Sequence, residues 1–319
     1  MGKQTYAPAP IPTMYFIGVT TSKSSIMSVF PKWADYLKVG ICQLKGIDFT
    51  LHDTPDKYRE AVQFIKDDPL SLGALVTTHK IDLLKACKDM FDELDPYAML
   101  MDEISSISKR DGKLVGHAKD PISSGLAIEA FLTEDYWKNT GAEILLMGAG
   151  GATIALTCYL MKPKHGDNRP SKIYVTNRST GRLEEIQRIH HELHSDVAVE
   201  YIHAPVPEDN DAVAKKLKPA SLVVNATGLG KDAPGSPLTD AAIFPEYGIA
   251  WDFNYRGNLL FLDQARAQQQ QRHLQIEDGW VYFLHGWIQV IAEVFHINIP
   301  AEGPVFDELS RIAEQFRQR

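Results

Sequence analysis

The sequence predicts an α/β protein of two domains, the second built on a doubly wound parallel sheet, and three observations carry that prediction. Strand-length apolar runs alternate with segments of helical periodicity along most of the chain. The run Ile144-Leu145-Leu146-Met147 feeds a glycine turn, Gly148-Ala149-Gly150-Gly151-Ala152, that opens a helix. A chain of 319 residues, 44% hydrophobic and 23% charged, is long enough for two domains of about 150 residues each.

The elements follow in order. Residues Met1 to Thr13 are proline-rich and lack an apolar stretch, which reads as a loose arm and not a signal peptide. Met14 to Thr20 is a short apolar strand. Ile26 to Val39 carries Met27, Phe30, Trp33 and Leu37 at helical spacing, with Ser22-Lys23-Ser24-Ser25 in the loop between. Phe49 and Leu51 suggest a second strand, Lys57 to Lys66 a helix, and Gly73 to Thr77 a third strand ending in Thr78-His79-Lys80. Open α/β sheets bind ligands outside the carboxyl ends of their strands, so the polar loops after these strands are candidates for a substrate pocket. Ile104 to Ser108 and Leu114 to Gly116 read as a hairpin around Asp111-Gly112, followed by the loop His117-Ala118-Lys119-Asp120-Pro121. A helix over Ser124 to Phe131 crosses to the strand at Ile144, and a helix over 152–161 follows the glycine turn. Lys172 to Asn177, Leu222 to Asn225 and Ile249 to Phe253 supply further strands. The aromatic-rich helix Phe283 to Phe295 returns to the first domain. The domain boundaries are therefore placed at 1–119 with 283–319, and 120–282.

Composition narrows the function. Lys plus Arg of 33 against Asp plus Glu of 41 gives a net charge of −8, with no basic block, which argues against nucleic acid or an anionic membrane as partner. No apolar run approaches the ~18 residues of a membrane span, and a cytoplasmic location is expected. Cys42, Cys87 and Cys158 are odd in number and lack CxxC spacing, which favours reduced, packed thiols. His190, His191 and His194 include an i, i+4 pair, but with no third ligand they read as a solvated helix, and no metal is expected. The run Gln268 to Gln271 reads as a solvated face.

In the glycine turn, Gly148 permits the tight bend, Gly150 lets the backbone approach a pyrophosphate, and Ala152 and Thr153 let the helix pack closely with its N-terminus toward the anion. The next strand ends in Asn177-Arg178-Ser179, with Arg182 one helical start later. The position that is acidic in NAD sites is not acidic here. Guanidinium and hydroxyl donors suit the 2′-phosphate of NADP, which favours NADP over NAD. The competing reading makes Arg178 and Arg182 solvated charges at a helix entry.

Taken together, the segments from about Gly18 to Phe295 resemble the shikimate and quinate dehydrogenase family. Ser22-Lys23-Ser24 is similar to its SxS loop, Val76-Thr77-Thr78-His79-Lys80 to VTxPxK, and Gly116-His117-Ala118-Lys119-Asp120 to GxNTD. Gly148 to Ala152 matches GAGGA, and Asn177-Arg178-Ser179 the NADP-type NRT or NRS turn. Asn225 to Gly230 follows NATxxGM, Asp252-Phe253-Asn254-Tyr255 DxxY, and Asp278-Gly279 the late DG. The resemblance implies an N-terminal three-layer α/β substrate domain plus a Rossmann NADP-binding domain. It implies an NADP-dependent oxidoreductase that interconverts a ring hydroxyl and a ketone on a shikimate- or quinate-like cyclic hydroxy acid. The alternatives are a catalytically silent NADPH-binding sensor on the same fold, or a dehydrogenase of this architecture with another substrate. The expected partner is the small molecule alone, on a monomer or homodimer.

Carried over by position, Lys80 and Asp120 form the catalytic pair and Ser22 and Ser24 bind the substrate carboxylate. Thr77, Ser105 and Tyr255 are further substrate contacts. Gly148, Ala149, Gly150, Gly151, Ala152, Asn177, Arg178, Ser179, Arg182, Thr227 and Gly279 hold the cofactor. Alcohol oxidation needs a base for the hydroxyl proton, and reduction needs the same group as an acid. Burial lowers a lysine pKa whereas a neighbouring carboxylate raises it, so the resting form of Lys80 stays open. The departures bear on specificity. Leu75 stands for the family's Asn, the proline before Lys80 is missing together with one residue, Ser105 replaces an Asn, and Ala118-Lys119 replace Asn-Thr. Those asparagines would bond ring hydroxyls, which puts strict shikimate preference in doubt. The late glutamine aligns near Gly286, with His285 or Gln289 as substitutes; a core histidine is the competing reading of His285.

Overall fold

The computed structural model describes residues 6–317, which fall into two compact units. One runs to Asp120 and resumes at Leu284; the other spans Pro121–Phe283. The first five residues of the proline-rich arm lie outside the described residues.

The first unit opens with β1 (Thr13–Gly18), α1 (Ile26–Leu37), β2 (Gln43–Asp48), α2 (Pro55–Asp67), β3 (Ser71–Val76) and α3 (Lys80–Cys87). It continues with β4 (Glu93–Leu94), α4 (Pro96–Met101) and the hairpin β5 (Ser106–Arg110) and β6 (Lys113–His117). The strands lie in the order β2-β1-β3-β5-β6-β4. β1 is parallel to β2 and β3, while β3 to β5 and β5 to β6 are antiparallel. β1 is buried at all six positions, as an interior strand flanked on both edges requires. The hairpin turns at Asp111 and Gly112, whose φ values of 52° and 77° make the type I′ geometry that Asp-Gly favours. The strand expected at Phe49 and Leu51 lies earlier, at Gln43–Asp48. Phe49 is buried just beyond it, and Leu51 is 63% exposed in the following turn.

The second unit contains α5 (Asp120–Glu129), whose first residue closes the first unit, then α6 (Tyr136–Thr140), β7 (Ile144–Met147), α7 (Gly151–Leu160), β8 (Ile173–Asn177) and α8 (Thr180–Glu192). β9 (Val199–His203), α9 (Pro207–Ala214), β10 (Leu222–Asn225), β11 (Ile249–Asp252), α10 (Leu260–Arg272) and β12 (Gln275–Glu277) complete it. All strands are parallel, in the order β12-β11-β10-β7-β8-β9. This is the doubly wound Rossmann order, and its topological switch point falls between β7 and β10. β7 is buried at every position, and Leu145 and Met147 pack with Val223, Phe244 and Phe261 in one core cluster. His190 departs from the expected solvated helix. It lies on the inward face of α8 with Ile186 and Ile189, where its ring nitrogens meet Thr157 Oγ1 at 2.7 Å and Tyr201 Oη at 2.8 Å. Burial pulls its pKa down to about 4. His191 and His194 are exposed as expected.

α11 (Trp280–Val294) and α12 (Pro304–Glu314) end the chain. In the first unit α12 packs on α1, where Trp33 Nε1 donates to Leu309 O at 2.8 Å, and Trp287 meets Phe16 edge-on at 4.8 Å. Cys87 and Cys158 are buried thiols, while Cys42 is only partly covered. No helix among the described residues is long and apolar enough to cross a membrane.

Candidate active site

Lys80 is the first residue of α3, directly after the carboxyl end of β3. The approach is anchored locally. Thr77 N donates to Ile17 O at 3.0 Å, Thr78 takes the left-handed conformation at φ 60°, and His79, standing where the family pattern has proline, is buried. Its Nδ1 lies 3.0 Å from Tyr58 Oη, and burial depresses its pKa, so a neutral ring pins the start of the helix. A cation at a helix N-terminus opposes the helix dipole, so Lys80 needs a local anion. Asp120, first residue of α5, supplies one, with Oδ2 2.7 Å from Lys80 Nζ. Both side chains are largely covered, 23% and 14% exposed. Burial works against the lysine charge, but the charges of Asp120 and the buried Glu103, with the Asp120 hydrogen bond, outweigh it and hold Lys80 above its ordinary value. Sequence reasoning missed Glu103. Its only signal was its place in the polar Met101-Asp102-Glu103 approach to the hairpin.

The segment carrying Asp120 is held from three sides. Ser105 N donates to His117 O at 2.8 Å, Ala118 N to Asp95 Oδ1 at 3.2 Å, and Lys119 N to Ser105 Oγ at 2.8 Å. From α11, Glu293 accepts from Lys119 Nζ at 2.7 Å and lies 3.2 Å from His117 Nε2. These hydrogen bonds and charges hold the Glu293 carboxyl far below the usual carboxylate range.

Of the other residues expected in the first unit, Ser22 is exposed and Ser24 half-buried, next to Thr21, whose N–H bonds Asp48 Oδ1 at 2.9 Å. Neither serine hydroxyl has a protein partner among the described residues. Ser105 is buried, and its Oγ accepts from Lys119 N at 2.8 Å, which ties it to the loop that carries Asp120. His285 takes the core position: it is 2% exposed, stacks on Phe306 at 4.5 Å, and burial lowers its pKa to about 4. Gln289 is half-buried with no side-chain hydrogen bond among the described residues.

In the second unit the glycine turn follows β7 at the switch point. Gly148 has φ 102°, and a Cβ there would meet Ala226 O at 3.0 Å, so glycine is required. Gly150 is the N-cap of α7 and makes no side-chain cap, and a Cβ built on it would meet nothing within 4 Å. Gly151 and Ala152 form the first turn of α7, an uncapped helix N-terminus facing open space, which is the chemistry an anionic pyrophosphate needs. Ala149 departs from expectation. It is 1% exposed and its N–H is given to Asn177 Oδ1 at 3.1 Å. Asn177 Nδ2 reaches Ser179 O and Oγ, both at 3.0 Å, so Asn177 and Ser179 stitch the β8 turn to the glycine turn. Arg178 and Arg182 are exposed and have no carboxylate partner among the described residues, as a phosphate clamp requires. The residues present therefore fit an NADP-type dinucleotide.

At the end of β10, Thr227 is held by Asn225 Oδ1, with its Oγ1 2.6 Å away and its N–H 3.0 Å away. Asn225 Nδ2 in turn donates to Asp252 Oδ2 at 3.0 Å, and burial raises Asp252 to about 6. Gly279 is a packing requirement: a Cβ would lie 2.0 Å from Phe253 O. Tyr255 packs on Trp280 at 5.2 Å and Phe283 at 4.8 Å, an aromatic cluster of the second unit. Among the described residues no group of three or more His, Cys, Asp and Glu is placed to hold a metal.

No family model matches the chain. A curated shikimate dehydrogenase (NADP(+)) from Lactococcus lactis subsp. cremoris is 28% identical over 215 residues, 67% of this chain and 69% of the relative. Further curated shikimate dehydrogenases align over 57% to 64% of their own length. Among solved structures, a shikimate 5-dehydrogenase from Thermus thermophilus in complex with NADP(H) and shikimate matches with a TM-score of 0.68 at 19% identity, covering 96% of this chain and 100% of its own. A ligand-free 5-ketofructose reductase from a Gluconobacter species matches with a TM-score of 0.69 at 16% identity, covering 96% and 98%. The solved structures share the two-domain α/β architecture of this chain.

Proposed function

We propose, from the premise that this chain is a divergent, shikimate dehydrogenase-like member of the shikimate and quinate dehydrogenase family, that it is an NADP-dependent oxidoreductase acting on a CH–OH group. Its substrate is a small cyclic hydroxy acid of the shikimate or quinate class. The observation that carries this reading is the covered Lys80–Asp120 ion pair, 2.7 Å across, on helix starts beside the sheet.

Each unit is assigned its own ligand. In the second, Gly150, Gly151 and Ala152 would take the pyrophosphate on the α7 N-terminus, and Arg178 with Arg182 the 2′-phosphate. When bound, NADPH supplies the hydride. In the first unit, Ser22 and Ser24 offer free hydroxyls to the substrate carboxylate. Lys80 gives its ammonium proton to the carbonyl oxygen as the carbon gains hydride, leaving an alcohol and a neutral amine. In oxidation the neutral amine takes the hydroxyl proton. Asp120 orients the ammonium and favours its charged form, which makes Lys80 an acid at rest.

The groups at the family's ring-hydroxyl positions support a shifted specificity. Leu75 is apolar and buried, Ser105 Oγ is engaged by Lys119 N, and Lys119 Nζ by Glu293. Leu75 offers a ring hydroxyl no partner, and a site with fewer matched polar partners discriminates less for each ring hydroxyl. Spectrophotometry of NADP reduction over a panel of cyclohexane and cyclohexene carboxylic acids, graded by ring hydroxyl number and position, tests this. Turnover with acids less hydroxylated than shikimate, at kcat/KM equal to or above that for shikimate, is expected. Strict shikimate selectivity would refute the shifted specificity, and no turnover with any cyclic acid would refute the function.

A further inference from the structure

We infer that Glu293, on the helix that returns to the first unit, is a positioning residue that fixes the segment 117–120 and thereby the Asp120 carboxylate against Lys80. The inference rests on the catalytic reading of that pair. Glu293 lies on a helix far from the loop in sequence, yet its carboxylate accepts from Lys119 Nζ at 2.7 Å. The two side chains are each 15% exposed, and His117 is 13% exposed. Around Glu293 lie Lys119 at 2.7 Å from the loop, His117 Nε2 at 3.2 Å from β6, and Ser108 Oγ at 3.5 Å and Arg110 Nη2 at 3.7 Å from β5. Asp95 Oδ2 faces the other nitrogen of His117 at 3.9 Å. Lys80 itself faces Asp120 and Glu103.

The clamp acts on both neighbours of Ala118 at once. His117 and Lys119 point to the same carboxylate from either side of it, while their backbone groups are fixed by Ser105. Asp120 follows with no intervening residue, so its approach to Lys80 inherits the position of Lys119. Neutralising Glu293 weakens the charge-assisted hold on Lys119 and His117. The segment 117–120 then relaxes, and the Asp120 carboxylate moves off the Lys80 ammonium whose charge it holds. Lys80 then loses its proton at lower pH.

The titration of Lys80 Nζ, followed by NMR of lysine-labelled protein and assigned with Lys80→Arg, reads this without turnover. In Glu293→Gln the midpoint is expected to fall by about one pH unit, a tenfold change, and kcat to fall about tenfold or more. A native midpoint and native kcat in a variant that is merely less stable overturn the inference. The double variant Lys119→Met/Glu293→Gln removes both charges and avoids a buried cation. Its midpoint and kcat are both expected to stay lowered, because the tether is lost even though no charge is left unbalanced; a native midpoint with native kcat in that variant overturns the inference. The catalytic reading fails separately, on a Lys80→Met enzyme that still turns over, whereas the midpoint shift concerns Glu293 alone.

Discussion

Lys80 Nζ lies 2.7 Å from Asp120 Oδ2, and each is the first residue of its helix, α3 and α5. The helix dipole favours the aspartate and disfavours the lysine at such positions. The pair therefore joins a naturally placed anion to a cation that depends on it. That dependence governs how the site responds to pH and to mutation.

Asp120→Asn removes the anion and keeps the shape. Because the native Lys80 pKa is raised, its contribution to stability is full below the ordinary lysine value and is lost as pH rises through the raised one. The variant is expected to lose this alkaline transition and to be destabilised by roughly 3 kcal/mol, the low end for breaking a buried pair, since Glu103 remains. Urea unfolding at neutral and alkaline pH measures both. In the reductive direction, kcat of the native enzyme should hold level and fall only in alkali, and the variant should fall at lower pH. Identical profiles would remove Asp120 from the proton step.

Arg178→Ala tests the cofactor assignment. Charge-assisted bonds to a phosphate contribute about 1.5–3 kcal/mol, so NADPH binding should weaken roughly 10- to 100-fold. NADH lacks the 2′-phosphate and should be little affected. Equal weakening of the two, measured by fluorescence titration, would show that Arg178 serves the fold or the common part of the dinucleotide.

His285→Leu addresses the residue that two readings claimed. The native ring is neutral and stacked on Phe306, with its pKa lowered to about 4. Unfolded histidine takes up a proton near 6.5, so stability is full above that pH and declines as pH falls toward about 4. The leucine variant should keep substrate KM and show a shallower decline over this range, the remainder coming in part from His190. A large rise in KM with an unchanged pH slope would return His285 to the substrate.

The interior of both sheets was legible in the sequence, and their edges were not. β1, β7 and β10 are buried at every position and read as apolar runs. β2 and β9 lie at sheet edges, mix half-buried with exposed residues, and carry little hydrophobic pattern, which is why one was misplaced and the other unseen. Lys80 and Asp120 were visible only through the family pattern, since a lysine opening a helix is ordinarily solvated. Glu103 and Glu293 escaped because their roles arise from tertiary packing. His285 could be placed in the core or at a ligand from its sequence context, and only the stack on Phe306 separates the two.

The most direct measurement is NADPH consumption with a cyclic keto acid by the native enzyme and by Lys80→Met, alongside NADPH binding to both. The account expects unchanged binding and a rate lowered about 10²- to 10⁴-fold in the variant, the usual contribution of a positioned acid or base. Turnover by Lys80→Met at the native rate would contradict it.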